Sequence, residues 1–387
     1  MSTTGTFDGV HRRNLSKVLS LVHHDGPLSR AQLTAATGLN RSTVATLVAE
    51  LSALDLVVEG APDPTNRVGR PSPVVGPHPL LAVLAVNPEV DAVTLAAVGL
   101  GGRVLHTERI EVDRVLSPQE VVDIVARTVS VWSAGILADH RLVGCGVAVP
   151  GQVRSSDGLV RWAPHLGWSD APIRGMLEEA IGLATVVGND ASLGVLAEHL
   201  FGAGRGVDDI VYLNGGASGI GGGLIVHGRP VGGAAGYAGE FGQNRPGIAA
   251  SADRRAPDGV LEDEVSRARL LAVVGLASAD EPTLAAALAG ATDAAVGREL
   301  DRQRRILATA LCNAVNVLNP SMVVLGGFLA TVAASDLEAL ESMVAAQALP
   351  AAGEDLVIRV AALGEDRLLI GAAEAALEGV LSDPESV

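Results

Sequence analysis

The sequence predicts an α/β protein in which an N-terminal winged helix-turn-helix module precedes a larger body of two lobes. Three short amphipathic helices lie ahead of a stretch rich in proline and glycine at residues 62–79. Beyond that stretch, a run of strands followed by alternating helices and strands occurs twice. A chain of 387 residues is also long enough for two or three domains, at roughly 150 residues each.

Composition narrows the class of protein. Aromatic residues make up only 2% of the chain although 48% of it is hydrophobic, so the core must be packed from Ala, Val, Leu and Ile. No apolar run reaches the roughly 18 residues that a membrane span needs, and residues 1–13 lack a signal-peptide core. We therefore expect a cytoplasmic protein without a membrane partner. Cys145 and Cys312 lie in apolar runs and are predicted to be buried free thiols.

Charge is distributed unevenly along the chain. The net charge of -16 excludes a uniformly basic surface for nucleic acid. Residues 1–76 nevertheless carry seven basic and six acidic side chains, whereas the remainder carries 21 basic and 38 acidic ones. This asymmetry fits a small DNA-facing module attached to an acidic body.

Three helices are predicted in the first module. Apolar residues at helical spacing predict an amphipathic helix over residues 12–24. Ser29, with Gln32 three residues later, forms a capping box and predicts the start of a second helix. A turn at residues 37–40 has a central glycine and precedes a third helix over residues 41–54. This succession is the helix-turn-helix arrangement, in which the later helix enters the major groove.

The third helix leaves small and polar side chains outside its apolar face. Hydroxyl groups reach phosphates and base edges, and arginine can pair with guanine. Residues 56–59 predict a wing strand, and the Gly69-Arg70-Pro71 run would hold an extended arginine suited to a minor groove. Three ordinary helices that mediate protein contacts are the alternative. The residues predicted to contact DNA are Arg12, Arg30, Arg41, Ser42, Thr43, Thr46 and Arg70.

The body is predicted from its hydrophobic pattern as the same order of elements occurring twice. Its strands are predicted at residues 80–86, 91–98, 103–112, 142–149, 184–187, 210–213, 224–226, 322–325 and 356–361. Helices in its first half are predicted at residues 118–138, 173–181 and 191–201. A strand meander followed by alternating helices and strands, occurring twice, implies two α/β lobes with a cleft between them.

Three isolated acidic residues, Asp190, Glu240 and Glu262, stand among glycines in the middle of the chain. Glycine lets the backbone approach a ligand closely, so carboxylates in these surroundings predict a cleft for a polyhydroxyl molecule or a phosphate. The alternatives are structural. Asp190 could cap a helix that begins at Ala191, and the two glutamates could be solvated surface acids.

The same residues carry a family resemblance. The first module resembles the winged helix of ROK-family transcriptional regulators at Ser29-Arg30-Ala31-Gln32-Leu33, Thr37-Gly38-Leu39, Ser42-Thr43-Val44 and Gly69-Arg70-Pro71. The body resembles the same family at residues 219–223, 236, 238–242, 259–262, 319–320 and 326–327. The resemblance covers essentially the whole chain and implies a two-lobed, actin-like sugar-kinase fold.

This resemblance gives the expected domain boundaries. The winged helix-turn-helix with its linker is expected in residues 1–76 and the ROK kinase-like domain in residues 77–387. Lobe I is expected at about 77–190 together with a C-terminal helix at about 367–383, and lobe II at about 191–366.

The resemblance also implies roles at the cleft. Asp190 matches the general base that takes a proton from the sugar hydroxyl in ROK sugar kinases, and Asn189 matches its sugar-binding neighbour. Glu240 and Glu262 match the glutamates that bind sugar hydroxyls. The residues predicted to bind the ligand are Asn189, Asp190, Glu240, Gln243, Glu262 and His165, the last standing where the family's sugar loop often has Asn.

Two departures from the family pattern argue against catalysis and against a structural metal. The kinases need a phosphate loop of the form Asp-x-Gly-Gly-Thr, whereas residues 87–91 read Asn-Pro-Glu-Val-Asp; proline lacks an N–H group and the acids repel phosphate. Gln243 stands where the family has a zinc-binding His, and Asp253, Arg255 and Val260 stand at the cysteine positions, so neither zinc nor a cofactor is expected. Residues 244–258 are then expected to be mobile or held by charge pairs of Asp253, Arg254 and Arg255.

The sequence therefore predicts a DNA-binding transcriptional regulator, a repressor, controlled by a sugar or sugar derivative. Its expected partners are a palindromic operator, the sugar effector and a second copy, as a homodimer or homotetramer. One alternative is an active ATP-dependent sugar kinase with an appended DNA-binding domain, which would use Asp190 as its base. Another is a DNA-binding protein that responds to no ligand and whose body only dimerises.

Overall fold

The computed structural model of the chain describes residues 4–61, 73–248, 250–256 and 259–386. Within these ranges, no helix combines the length and the apolar character needed to cross a membrane. Cys145 and Cys312 are free and buried, as the sequence predicts.

The N-terminal module is a three-helix unit closed by a small antiparallel sheet of order β1-β3-β2. Helix α1 begins earlier than the predicted residue 12, whereas α2 and α3 begin where the sequence places them. Its elements are α1 (Thr4–Asp25), β1 (Leu28–Ser29), α2 (Arg30–Thr37), α3 (Arg41–Ala53), β2 (Val57–Gly60) and β3 (Val74–Pro77).

Local side chains define both ends of α2. The predicted capping box is confirmed, because the Gln32 N–H donates to Ser29 Oγ at 3.2 Å while the Ser29 N–H donates to Gln32 Oε1 at 2.8 Å. Gly38 ends the helix in the left-handed conformation, with φ of 73°. The side chain of Asn40 then caps α3 by accepting the Thr43 N–H at 2.8 Å.

The wing differs from the prediction at its second strand. Val74–Pro77 lies within the stretch interpreted as a linker, yet it pairs with β1 on one side and β2 on the other, and Val75 is buried. Its flanking prolines and glycine indicated a linker, whereas two adjacent valines at the centre of a small sheet favour a strand. The interpretation of this stretch as a linker throughout was wrong.

The first lobe of the body is built on a five-stranded sheet of order β11-β7-β4-β5-β6, in which the first meander is antiparallel and the later strands are parallel. Strands β8 to β10 form a separate small sheet at its edge. Its elements are β4 (Leu81–Pro88), β5 (Ala92–Gly99), β6 (Arg103–Glu111), α4 (Pro118–Ala134), β7 (Arg141–Val149), β8 (Gln152–Val153), β9 (Val160–Ala163), β10 (Trp168–Ala171), α5 (Ile173–Ile181) and β11 (Thr185–Asn189).

The second lobe repeats this topology in a sheet of order β14-β13-β12-β15-β16. Here β12 pairs antiparallel with β13 and parallel with β15, so the repeated order of elements predicted from the sequence is confirmed. The elements are α6 (Asp190–Phe201), β12 (Ile210–Gly216), β13 (Gly219–Val226), β14 (Arg229–Pro230), α7 (Leu261–Glu264), α8 (Arg267–Val273), α9 (Glu281–Ala289), α10 (Ala294–Leu318), β15 (Met322–Gly327), α11 (Phe328–Ala334), α12 (Leu337–Ala345), α13 (Pro350–Gly353) and β16 (Val357–Val360). The last helix of the chain, α14 (Arg367–Ser382), comes after this lobe.

The glycine-dense segment around residues 215–223 forms a hairpin rather than an irregular loop between shorter strands. Strands β12 and β13 continue to Gly216 and from Gly219, with paired residues along their whole length. A Cβ atom on Gly221 would lie 2.8 Å from the Ala191 Cβ, so glycine allows α6 to pack directly against the hairpin.

The last helix, α14, joins the body to the N-terminal module. It packs on α6 and on strands β4 and β7, although it follows the second lobe in the chain. Its buried residues, such as Leu369 and Leu377, share one hydrophobic core with Leu15 and Leu19 of α1. The module is therefore packed against the body as well as tethered to it.

Candidate functional site

A cleft opens between the two lobes where the β12–β13 hairpin faces the ends of β7 and β11. It encloses a cavity of about 140 Å³ and is lined mainly by polar side chains and glycine backbone. All six residues predicted to bind a ligand lie on its wall. The lining comprises Pro150, Gly151, Gln152, Trp162, Pro164, His165, Asn189, Asp190, Asn214, Gly216, Ser218, Gly219, Ile220, Gly221, Glu240, Gln243 and Glu262.

Asn189 and Asp190 stand at the junction of β11 and α6. The sequence allows Asp190 to be the helix cap, but α6 begins at Asp190 and the residue that caps it is Asn189, whose Oδ1 accepts the Ser192 N–H at 2.9 Å. The Asn189 amide donates to the Gly151 carbonyl at 3.0 Å and to Asp190 Oδ1 at 3.1 Å. Asn189 thus holds its neighbour in position, and its own contact with a ligand stays a prediction.

The Asp190 carboxylate is the most perturbed acid of the cleft. Its Oδ1 accepts the Ala191 N–H at 2.8 Å, and no donor among the described residues bonds to its Oδ2. Burial raises the pKa of Asp190 to about 6, with hydrogen bonding and Arg367 acting against burial and the charge of Glu240 acting with it. Perturbed carboxyl groups in clefts are candidates for function.

Glu262 is held by two donors from different elements. The Ile220 N–H donates to its Oε2 at 3.1 Å, and the Gln243 side chain donates to its Oε1 at 2.7 Å. Gly219 has φ of 128° and approaches so closely that a Cβ there would lie 2.4 Å from Glu262 Oε2. Glycine suits this position, because L side chains rarely adopt this backbone conformation and a Cβ would push the Glu262 carboxylate out of its place.

Glu240 and His165 face the cleft from more exposed positions. Partial burial and the nearby charge of Glu262 raise the pKa of Glu240, and a hydrogen bond from Gln152 lowers it. His165 lies on a short 3-10 turn that follows β9. Both side chains can exchange hydrogen bonds with hydroxyl groups.

Trp162 is a candidate ligand contact that the sequence analysis missed. It lies on β9, lines the cleft, and is 54% exposed, whereas Trp168 is buried with its indole N–H donating to the Leu116 carbonyl at 2.8 Å. An exposed indole beside convergent polar groups can cover the apolar face of a sugar ring. The only sequence signal was the scarcity of aromatic residues, which makes each exposed one notable.

The β4–β5 turn lies within residues 87–91, which the sequence analysis aligns with the phosphate loop of the kinases. Asn87 and Pro88 lie within β4, and the Glu89 N–H donates to the Ala92 carbonyl at 2.8 Å, which closes the turn tightly. Arg109 pairs with Glu89 at 2.5 Å and with Asp91 at 3.1 Å. The turn thus presents two carboxylates directly after Pro88, and carboxylates repel a phosphate group.

The described residues around Asp253 are held by one charge pair and by hydrogen bonds to backbone groups. Asp253 pairs with Arg305 of α10 at 3.0 Å rather than with its neighbours. The Arg254 side chain donates to the Ile248 carbonyl at 2.7 Å, and the Arg255 N–H donates to Glu264 at 2.9 Å. The expected charge pair is therefore present at Asp253, whereas the side chains of Arg254 and Arg255 donate to backbone carbonyls.

The side chains predicted to contact DNA lie on α3 and on neighbouring parts of the N-terminal module. Arg41, Ser42 and Thr46 are exposed and Thr43 is half-buried. Arg30 donates to Glu59 of β2 at 2.6 Å, which ties α2 to the wing. Arg12 pairs with Asp383 at 3.4 Å. Arg70 lies outside the described residues, and DNA contact by all of these side chains stays a prediction.

A cluster of His23, His24 and Glu374 connects the module to α14. The Gly101 N–H donates to His23 Nδ1 at 2.9 Å, so the neutral ring carries its proton on Nε2, which donates to Glu374 Oε2 at 2.6 Å. His24 Nε2 lies 3.3 Å from Glu374 Oε1. The ligand atoms are within 4.8 Å of one another, as in a metal site, but both ring nitrogens of His23 already have hydrogen-bond partners among the described residues.

The fold and the cleft define a two-lobed, sugar-kinase-like protein that carries a winged helix-turn-helix. The family model of ROK matches residues 83–378, so the chain belongs to the ROK family. A xylose repressor from Caldicellulosiruptor bescii is 25% identical over 390 residues, covering 95% of this chain and 96% of the repressor. A glucokinase from Halalkalibacterium halodurans is 30% identical over 251 residues, covering 59% of this chain and 74% of the kinase.

The fold is also that of a solved regulator. The crystal structure of a ROK family transcriptional regulator, described as a homologue of the E. coli MLC protein, matches with a TM-score of 0.75 and 23% identity. The match covers 97% of each chain, which includes the N-terminal module.

Proposed function

We propose that this protein is a sequence-specific DNA-binding repressor whose operator affinity is controlled by a sugar or sugar derivative bound between its lobes. The observation that carries the proposal is the course of α14, which begins beside the cleft and ends against the N-terminal module. The full-length likeness to a xylose repressor supports it and makes xylose the first sugar to test.

The start of α14 is bonded to the second lobe. Arg367 is buried, and its guanidinium donates to Asn214 of β12 at 3.0 Å and to Glu281 of α9 at 2.7 Å. Asn214 also lines the cleft. A ligand that engages Asn214 or moves the lobes would therefore change the surroundings of Arg367.

The far half of α14 is bonded to the DNA-binding module. Glu374 contacts His23 and His24 at the end of α1, and Asp383, just beyond the helix, pairs with Arg12. Arg205, after α6, donates to Asp25 at 3.1 Å. A movement of α14 relative to α6 would thus change the orientation of the helix-turn-helix relative to the body.

Control of DNA binding follows if the sugar binds two arrangements of the lobes unequally, since a ligand shifts an equilibrium only by its differential affinity. Asp190, Glu240 and Glu262 would accept hydroxyl groups, with Asn189, Gln243 and His165 around them and Trp162 against the ring. Closure of the cleft on the sugar would then move α14 and weaken operator binding.

The DNA complex is proposed to be symmetric. A homodimer, or a homotetramer of such dimers, would place two α3 helices on a palindromic operator in the cytoplasm. Arg41, Ser42, Thr43 and Thr46 would contact the major groove, with Arg30 and Arg70 at the backbone or minor groove. We propose that residues 1–76 form the DNA-binding domain and residues 77–387 the sugar-binding domain. The two lobes of the sugar-binding domain would have the boundaries expected from the sequence.

Selection of genomic fragments tests the DNA-binding part of the proposal. Purified protein and the Arg41→Ala variant would each select fragments at moderate salt, because phosphate contacts weaken steeply as salt rises. Enrichment of one palindromic sequence by the wild type and its loss in the variant is the expected result. Absence of any enriched sequence over a range of salt would contradict the proposal.

An active sugar kinase is the second candidate, and the glucokinase relative favours it. We propose instead that the chain transfers no phosphoryl group and needs no cofactor, since Pro88 ends β4 and the Arg109-paired acids Glu89 and Asp91 form the turn after it. Phosphoryl transfer depends on positioning and charge neutralisation, which that turn does not offer. Sugar-dependent consumption of ATP, abolished by Asp190→Asn, would favour the kinase.

A further inference from the structure

Among the described residues of the second lobe, Arg302 on the inner face of α10 is the buried charge with the most hydrogen bonds. It is 2% exposed, and its guanidinium makes five hydrogen bonds. These go to Glu299 Oε2 at 3.0 Å, Glu299 Oε1 at 2.8 Å, Glu264 Oε2 at 3.0 Å, the Glu264 carbonyl at 2.6 Å and the Asp253 carbonyl at 2.8 Å. All five N–H groups of the guanidinium are thereby used.

Glu264 is the partner of Arg302 that also bonds to the backbone of residues 255 and 256. It is 1% exposed and accepts the Arg255 N–H and the Ala256 N–H, each at 2.9 Å, in addition to Arg302. Burial acts to raise the pKa of Glu264, but the two backbone donors and Arg302 outweigh it, so the net pKa is lowered. Glu264 is therefore a buried carboxylate held by fixed donors.

Glu264 belongs to α7, the same single helical turn that carries Glu262. Two residues along a helix are separated by about 200° of rotation, so Glu262 and Glu264 face opposite sides. Glu262 lines the cleft, where it accepts the Ile220 N–H, while Glu264 faces Arg302. A turn of four residues has little helical stability of its own, so its orientation depends on such contacts.

We propose that Arg302 is a positioning residue for effector binding, which fixes the Glu262 carboxylate in the cleft by holding Glu264 on the opposite side of α7. The inference deepens the proposed function and rests on it, because the sugar is what Glu262 would bind. Arg302 itself lines a different surface depression and does not line the cleft.

Arg302→Lys is the direct variant, since lysine keeps the charge but cannot reproduce the planar fork of donors. Arg305→Lys is its matched control. Arg305 lies on the same helix and pairs with Asp253 of the same loop, but its side chain is 47% exposed and, among the described residues, it makes no hydrogen bond or ion pair with α7. Glu264→Gln is the second variant, because its amide group would face donors that require an acceptor.

The first measurement needs no ligand. Amide hydrogen exchange at Ile220 reports the position of Glu262, because that N–H donates to Glu262 Oε2. We expect exchange at Ile220 to be faster by about tenfold in Arg302→Lys and in Glu264→Gln, and unchanged in Arg305→Lys. Equal exchange at Ile220 in wild type, Arg302→Lys and Glu264→Gln would overturn the proposal.

The second measurement is release of the selected operator by D-xylose, with D-glucose as the next probe. Arg302→Lys should raise the half-release concentration about tenfold while operator affinity without sugar stays the same. In a Glu262→Gln background, Arg302→Lys should add little, because its effect passes through Glu262. Additive effects would indicate general weakening of the fold and overturn the assignment. If no sugar releases the operator from the wild-type protein, the proposed function fails. The amide exchange rate at Ile220 then tests by itself whether Arg302 positions Glu262.

Discussion

Protonation of Asp190 should weaken sugar binding as the pH falls. Burial raises the pKa of this carboxyl to about 6 in the sugar-free protein. Only the ionised form accepts hydrogen bonds from sugar hydroxyls at both oxygens, so affinity should be full above that pKa and fall as the pH drops through it. An acid of pKa about 6 is roughly nine-tenths ionised at pH 7 and one-tenth ionised at pH 5. The expected loss of affinity between these two pH values is therefore about tenfold, or about 1.4 kcal/mol.

Isothermal titration calorimetry of the DNA-free protein with the releasing sugar, at pH 5, 6, 7 and 8, measures this directly. The control is Asp190→Asn, which keeps the shape of the side chain and removes the titration. It should bind the sugar more weakly than wild type at pH 7 and show a flatter pH profile, with Glu240 contributing what slope remains because its pKa is also raised. Affinity that stays constant from pH 5 to 8, or a wild-type slope retained in Asp190→Asn, would refute the reasoning.

Three further predictions address the ring contact, the transmission and the fold of the module. Trp162→Ala should weaken sugar binding by about 1 kcal/mol in the same calorimetric titration, because it removes the exposed indole at the cleft, and it should leave operator affinity without sugar unchanged. Glu374→Gln should leave sugar affinity unchanged but reduce sugar-driven operator release, measured by fluorescence anisotropy, because the contact of α14 with His23 and His24 loses its charge; full release would contradict the role of α14. Ser29→Ala should destabilise the module by about 1 kcal/mol through loss of the α2 cap, seen as a lower thermal midpoint, whereas an unchanged midpoint would show that the cap adds nothing.

Local signals in the sequence were sufficient for the helix-turn-helix. The capping box at Ser29 and Gln32 and the left-handed Gly38 are interactions between neighbours in the chain, so they can be predicted without knowing the tertiary structure. The strand Val74–Pro77 could not be predicted in this way. Its partners lie at residues 28–29 and 57–60, and its composition resembles that of a linker.

The cleft illustrates the same limit. The spacing of acids among glycines identified Asp190, Glu240 and Glu262, and all three line one cavity. Trp162 was missed because nothing in its local sequence distinguishes an exposed indole from the buried Trp168. Arg302 was missed because the sequence does not show that Arg302, Glu264 and Glu299 are buried together. Their burial depends on how α7 packs against α10.

The course of α14 was equally beyond local reasoning. The sequence predicted a C-terminal helix, but its two ends acquire their roles from residues far away in the chain, Arg367 from Asn214 and Glu374 from His23. Residues so far apart in the chain leave no pattern in the sequence that predicts their contact. Only the folded arrangement shows that one helix borders both the cleft and the DNA-binding module.

The most direct test of the account is the operator dissociation constant measured as a function of sugar concentration, starting with D-xylose and extending to a panel of pentoses, hexoses and their amino and phosphorylated derivatives. The account predicts that one sugar class weakens operator binding by wild type, and that Asp190→Ala keeps the wild-type affinity for the operator while losing the response. Operator binding that no sugar changes, in a protein that folds and selects its operator, would contradict the central claim and favour a DNA-binding protein whose body only dimerises.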